Sequence, residues 1–364
     1  MEKQYYVQVI AENYLKNVID DPSSMSVHEK FLNGLDQKDF EEGFLALISL
    51  VRHLYSDVAR DPASFGMILK DITDINAKNT DYTSSNASFL RIPNLLFILG
   101  ARAELRTEMI LTIDGGVLSS IAKELKITGL WLLISKLREY GLEIIGMDKT
   151  IKNGDVISIS YPDNRALIVV LKAMADATME INKGDMKKQK NWFYMMHYGI
   201  LEDAKVKEPK LTVESIYHAL DSAKSESADI LHESVANVTK QAVRMGGFMR
   251  NDWSCVYTSI KNKKVLMSLH VEQEKLSAKL NLQHINEYMS LVAELPNKIR
   301  DSISINGWDC GHCNPSCSGG FSFELDGKAY NKCRCGSFIF EDITDEDVQS
   351  CKKLLSQELL CENM

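Results

Sequence analysis

The chain has 364 residues, 45% apolar and 25% charged, with a formal net charge of -8. That is the composition of an ordinary globular protein of two or three domains, and it excludes a collagen, a disordered tail and a mini-protein. No window approaches the roughly 18 to 20 uninterrupted apolar residues of a membrane span, Met1-Glu2-Lys3-Gln4-Tyr5-Tyr6 has no apolar signal core, and the negative charge argues against whole-surface attraction to nucleic acid or anionic lipid. The expectation is therefore a cytoplasmic protein with no membrane partner.

The first 107 residues read as a helical region. Tyr5 through Val18 has a helical pattern, and so do Phe40, Phe44, Leu47, Ile48, Val51, Leu54, Tyr55 and Val58. Asp39 and Glu42 make a capping box for the second helix, and Asp61-Pro62 closes it. The polar run from Asn79 to Ser88 reads as a loop.

Residues 108–200 carry a mixed pattern. Met109 to Ile113 predicts a strand, and Val117 to Leu125 a helix after Asp114-Gly115-Gly116. Thr128-Gly129 makes a turn, a second helix runs from Leu130 to Tyr140, and Gly141 stops it. Leu142 to Ile145 and Val156 to Tyr161 are strands joined around Asn153-Gly154, a hairpin turn. Asn164 can cap the next helix, which holds Leu167, Val170, Leu171, Met174 and Ile181. Trp192 to Tyr198 reads as a packed helix or domain seam.

Strand, helix, turn, helix, strand, wing, strand resembles a winged helix-turn-helix over 108–161. In that family the second helix enters the DNA major groove, which would make Lys136 and Arg138 the candidate DNA contacts. This helix is poorly supplied for the task, because Leu130, Trp131, Leu132, Leu133, Ile134 and Leu137 leave few polar groups, whereas base edges are read by Arg, Asn or Gln among phosphate-binding cations. Between Ile121 and Lys152 the cations Lys123, Lys126, Lys136, Arg138, Lys149 and Lys152 are offset by Glu124, Glu139, Glu143 and Asp148. DNA binding is thus the disfavoured reading, and a protein partner on an apolar face the favoured one.

Residues 201–227, rich in charge and small side chains, read as a connection. An α+β domain follows over 228–364. Its expected elements are a helix from Ala228 to Arg244, strands at Ser254–Thr258, Val265–Val271 and Leu276–Leu282, a helix from Ile285 to Leu295, a strand at Phe338–Phe340 and a last helix from Thr344. The whole is an α+β protein: a helical N-terminal part with a winged-helix-like segment, then a small α+β domain with a metal-stapled hairpin.

The cysteines carry the strongest chemistry. Cys310, Cys313, Cys317, Cys333 and Cys335 cluster, while Cys255, Cys351 and Cys361 stand alone. In a reducing compartment such a cluster reads as thiolates around a soft cation, with structural zinc the default. Between its halves Phe321 to Leu325 alternates, Asp326-Gly327 turns, and Lys328 to Lys332 returns. If Leu325 faces Lys328, then Phe321 faces Lys332, Gly320 faces Cys333, and Cys317 arrives near Cys335. Two tetrads compete: Cys310, Cys313, Cys333 and Cys335, or Cys310, Cys313 and Cys317 with Cys333. His312 is a substitute ligand if the flanking sulfurs do not both bind. Free buried thiols and a redox Cys-x-x-Cys are the alternatives; the strand-to-helix context of a thioredoxin motif is missing.

From Trp253 to Leu359, the features that include Cys310-x-x-Cys313, Asp326-Gly327-Lys328-x-Tyr330 and the terminal helix resemble proteins of clostridial-type bacteria with a Cys-rich C-terminal module. The resemblance implies no activity. No Gly-x-Gly-x-x-Gly, Walker A, Gly-x-Ser-x-Gly or His-Glu-x-x-His pattern occurs, so no catalytic residue and no cofactor other than zinc is expected. Three readings remain, in this order: a non-enzymatic binding or regulatory protein with a structural zinc, a DNA-binding transcriptional regulator, and an enzyme with an unrecognised pocket.

Overall fold

A computed structural model describes residues 3–18, 22, 25–73, 79–148, 153–247, 250–311, 319–334 and 336–363. The chain is of α+β class and divides into two compact units, Met1–Lys210 and Leu211–Met364. The boundary falls inside the expected 201–227 connection, whose remainder is built into the second unit. No helix among the described residues is long and apolar enough to cross a membrane.

In the first unit, α1 (Tyr6–Asn17), α2 (Glu29–Leu32) and α3 (Gln37–Arg60) precede α4 (Asn79–Phe89) and α5 (Arg91–Arg102). The α3 stripe of Phe40, Phe44, Leu47, Val51, Leu54, Tyr55 and Val58 is buried as its spacing dictates, and Asp36 caps the helix by accepting from Asp39 N. The cap is therefore Asp36, three residues before the expected Asp39. The 79–88 run is helix, not loop. Its polar side chains are used: Ser88 Oγ accepts from Ile68 N at 2.8 Å, and Tyr82 packs edge-on against Tyr6. Tertiary partners override the run's weak propensity.

Next come β1 (Glu104–Arg106), β2 (Ile110–Asp114), α6 (Gly115–Glu124), α7 (Leu130–Glu139), β3 (Glu143–Ile145), β4 (Val156–Ser160), α8 (Ala166–Ile181) and α9 (Asn191–Tyr194). The strands form one antiparallel sheet in the order β1-β2-β4-β3. Asp114 caps α6 through Val117 N and also accepts from Gly154 N, which ties the helix start to the β3–β4 connection. The 108–200 segment is not a separate body. Helix α5 packs on β2 and α6, and α8 packs on both α3 and α5. At the α5–α8 crossing a Cβ on Gly100 would lie 2.6 Å from Leu171 O and from Ala175 Cβ, so only glycine permits that approach. The 192–198 run is core filling, with Phe193, Tyr194, Met195 and Met196 buried.

The second unit opens with α10 (Glu214–Tyr217) and α11 (Ser222–Val235), then β5 (Thr239–Gly247), β6 (Asp252–Ser259), β7 (Val265–Glu272) and β8 (Lys275–Leu280). The expected 228–244 helix is thus displaced: it starts earlier, at the Asp221 cap, and ends at Val235. Thr239 turns its hydroxyl back onto Val235 O at 2.8 Å, and the chain then pairs with β6 from Thr239↔Ser259 onward. β-branched Thr239 and Val243 suit this strand. The expected 285–295 helix is a single turn at Ile285–Glu287 followed by α12 (Met289–Ala293), because Tyr288 is non-helical; α13 (Asn297–Ile305), unforeseen, begins after Pro296. The hairpin strands β9 (Gly320–Leu325) and β10 (Lys328–Cys333), then β11 (Phe338–Phe340) and α14 (Asp345–Asn363), complete the unit. Its main sheet is antiparallel in the order β11-β8-β7-β6-β5, with Trp253, Cys255 and Tyr257 of β6 buried on one face.

Candidate metal centre

The hairpin has the register its turn dictates: Leu325 pairs with Lys328, Phe321 with Lys332, and Gly320 with Cys333. Asp326 and Gly327 both have positive φ, as a two-residue hairpin turn requires. A third segment joins the other edge of β10. Asp309 bridges Lys332, Cys310 N donates to Asn331 O at 3.0 Å, and Cys333 N donates to Trp308 O at 2.7 Å.

These pairings bring Cys310 and Cys333 to the open end of the hairpin, away from the turn. Gly320 stands between them: Cys333 is its register partner, and a Cβ added to Gly320 would lie 2.6 Å from the Cys310 Cβ. The missing side chain is what lets the Cys310 strand close down on the hairpin. Lys332 is buried beside this end and reaches Asp309 at 3.0 Å. Cys310 and Cys333 are both free thiols, and both belong to either competing tetrad. Cys313, Cys317, Cys335 and His312 lie outside the described residues. Among the described residues no group of three or more His, Cys, Asp or Glu is placed to hold a metal ion.

Two of the three lone cysteines, Cys255 and Cys351, are held as thiols. Burial pushes Cys351 up to about 12 and raises Cys255 as well, so neither is a ready nucleophile.

The two candidate DNA contacts are occupied within the fold. Arg138 donates Nε and Nη2 to Ile144 O at 3.1 and 2.6 Å, and Nη2 to Met147 O at 3.1 Å, with its guanidinium over the Trp131 ring. It fastens α7 to β3. Lys136 pairs with Glu139 at 2.8 Å and lies over the Phe65 ring. Lys123 and Lys126 are exposed; Lys149 and Lys152 lie outside the described residues. His28 caps α2 by accepting from Lys30 N, and His232 meets the Tyr257 hydroxyl at 3.1 Å.

An open groove of about 610 Å³ crosses β7, β8 and β11, lined by His270, Glu272, Lys275, Ser277, Lys279 and Glu341 among others. Ser268 Oγ and His270 Nε2 are 2.9 Å apart. Burial, then Lys279, lowers the His270 pKa. Burial, then Glu272, raises that of nearby Asp252. Among the described residues no carboxylate bonds the other nitrogen of His270, so the pair lacks the orienting group of a nucleophile–base relay.

Two buried polar anchors escaped the sequence reading. Glu358 of α14 is fully buried and accepts from Gln283 N, His284 N, His284 Nδ1 and the Tyr288 hydroxyl. Arg91 of α5 donates to Ser88 O, Thr128 O, Phe65 O and Gly66 O, and burial lowers its pKa. Most of their partners lie far away in sequence, and neither letter stands out: Arg91 opens its helix, and Glu358 is one of several charged residues of α14. No protein-family model, curated protein or solved structure matches the chain.

Proposed function

We propose that the chain is a non-enzymatic binding or regulatory protein whose C-terminal hairpin is closed by one structural zinc. The convergence of Cys310 and Cys333 on the bare Cα of Gly320 carries this reading. It supplies two thiols at the base of a rigid hairpin, where a knuckle through Cys313 and either Cys335 or Cys317 would complete a tetrahedron at about 2.3 Å per sulfur. Bound there, zinc supplies folding energy and no reaction step, because four thiolates leave no open position. Protein purified without chelator should carry about one zinc per chain. Cys310→Ser and Cys333→Ser should lose it together with local stability, and only one of Cys317→Ser and Cys335→Ser should do so. Metal-free, fully reduced and equally stable protein would sink the reading.

A second reading concerns the first unit. The succession β2, α6, α7, β3, β4 with strand order β2-β4-β3 supports a winged-helix-like arrangement over 108–161. Fold does not fix function, and the bonds that engage Lys136 and Arg138 favour a protein-binding use over a DNA reader. Binding to random duplexes at about 50 and 200 mM salt separates the two. Submicromolar selection of a defined sequence, lost on Lys136→Ala, would make the protein a transcriptional regulator instead.

A further inference from the structure

The chain is acidic, yet residues 239–264 hold six cations, Lys240, Arg244, Arg250, Lys261, Lys263 and Lys264, against one acid, Asp252. This basic stretch is β5, β6 and the turn that follows. Strand β5 is nine residues long and forms the edge of the five-stranded sheet. Among the described residues no strand pairs with its outer side.

The pairing decides what that edge offers. Ile260 N donates to Val238 O at 3.0 Å, so the backbone of Val238 faces β6. In an antiparallel ladder the facing alternates. Lys240, Ala242 and Arg244 therefore bond β6, and Gln241, Val243 and Met245 turn their N–H and C=O groups outward. The side chains alternate too. Lys240, Ala242 and Arg244 share the open face with Thr258, Val256 and Ser254, their register partners. Val243 and Met245, half-buried, lie on the other face, where Cys255 and Trp253 are their buried partners. At the start of the ladder Val238 and Ile260 are exposed.

We propose that β5 is a docking edge for an extended acidic segment of another protein, which adds a sixth strand to the sheet. The outward amides and carbonyls would hold its backbone. Alternate side chains would be read differently on the two faces: acidic ones beside Lys240 and Arg244, apolar ones beside Val243 and Met245. Among the described residues neither Lys240 nor Arg244 is ion-paired, so both charges are available.

Charged edges also deter self-pairing, and here they select the occupant. A second copy pairing antiparallel about Ala242 would set Lys240 opposite Arg244, a like-charge clash that an acidic strand turns into attraction. Single-stranded nucleic acid fits less well. The open face of β5 and β6 presents Lys240, Ala242, Arg244, Ser254, Val256 and Thr258, which give bases no aromatic ring to stack on.

The proposal deepens the binding-protein reading and does not depend on the zinc, so metal content is measured in every variant alongside peptide binding. The probe is a fluorescein-labelled peptide of about eight residues alternating Glu and Val, long enough for a typical strand. Titrated with the full chain, it should bind saturably, protect the amides of Gln241, Val243 and Met245 from hydrogen exchange, and weaken between about 50 and 300 mM salt. Lys240→Glu with Arg244→Glu should weaken it at least about tenfold and favour the Lys-Val counterpart peptide. Val243→Pro, which removes an outward N–H without touching the β6 ladder, should also abolish binding while the zinc content stays unchanged. Absence of saturable binding, affinity indifferent to the charge reversal, or displacement by an oligonucleotide that binds more tightly would each overturn the proposal. Wild-type protein that is metal-free and still binds the peptide would overturn the metal reading alone.

Discussion

The His197 ring is held neutral, and that makes the first unit sensitive to mild acid. Its Nδ1 accepts from Gly199 N at 3.2 Å, which requires an unprotonated nitrogen, and Trp192 packs edge-on against the ring. Burial lowers its pKa from 6.5 to about 4. The unfolded chain, with an ordinary imidazole, binds the proton more tightly, so stability rises with pH across that window. The contribution is complete above about 6.5 and is lost as pH falls toward about 4. At about 1.36 kcal/mol per tenfold in proton affinity, the gap corresponds to about 3 kcal/mol. His197→Asn isolates this term, since an Asn oxygen can accept the same i+2 N–H and does not titrate. Urea unfolding of wild type and variant should show a stability difference that shifts by about 2 to 3 kcal/mol in the variant's favour from about pH 7.5 to about pH 4.5. A difference independent of pH, or an NMR titration placing His197 near 6.5, would refute the reasoning.

Arg91→Met should destabilise the first unit by about 3 to 5 kcal/mol, because four carbonyls lose a buried charged donor; a urea midpoint within error of wild type would count against it. Glu358→Ala should cost a similar amount, about 3 to 5 kcal/mol, in the second unit, leaving two backbone N–H groups and the Tyr288 hydroxyl unpartnered; Glu358→Gln, which keeps one acceptor oxygen, should cost less. Gly320→Ala sets a methyl against the Cys310 Cβ, so zinc affinity should fall at least about tenfold in a chelator competition; an affinity equal to wild type would count against the site.

Local chemistry was legible wherever the turn residues and the alternation agreed. Asp326-Gly327 and the Phe321–Leu325 pattern were enough to place Gly320 opposite Cys333, and the α3 stripe to place its core face. Elements that depend on distant partners were not legible. The 79–88 helix lacks an apolar stripe and forms because Ser88 and Tyr82 find partners on the 68 segment and α1. Strand β5 was hidden in a helical-looking continuation of α11, since Val235, Val238 and Ala242 keep helical spacing and only the ladder to β6 overrides it. With that strand went its edge: Lys240 and Arg244, four apart, share a face in a helix as in a strand, and only the strand sets unpaired backbone groups beside them. At the candidate metal centre the cysteine spacing and the hairpin between its halves were legible, and the closure through Trp308–Cys310 onto β10 was not, because an isolated bridge leaves no pattern in sequence.

The proposed zinc site is tested most directly by X-ray absorption at the zinc edge on protein prepared without chelator. The protein should hold about one zinc per chain with a shell of four sulfurs at about 2.3 Å, unchanged in Cys255→Ser and depleted in Cys333→Ser. A folded protein without zinc, or zinc surrounded by nitrogen and oxygen with the Cys310 and Cys333 thiols free to alkylate, would contradict it.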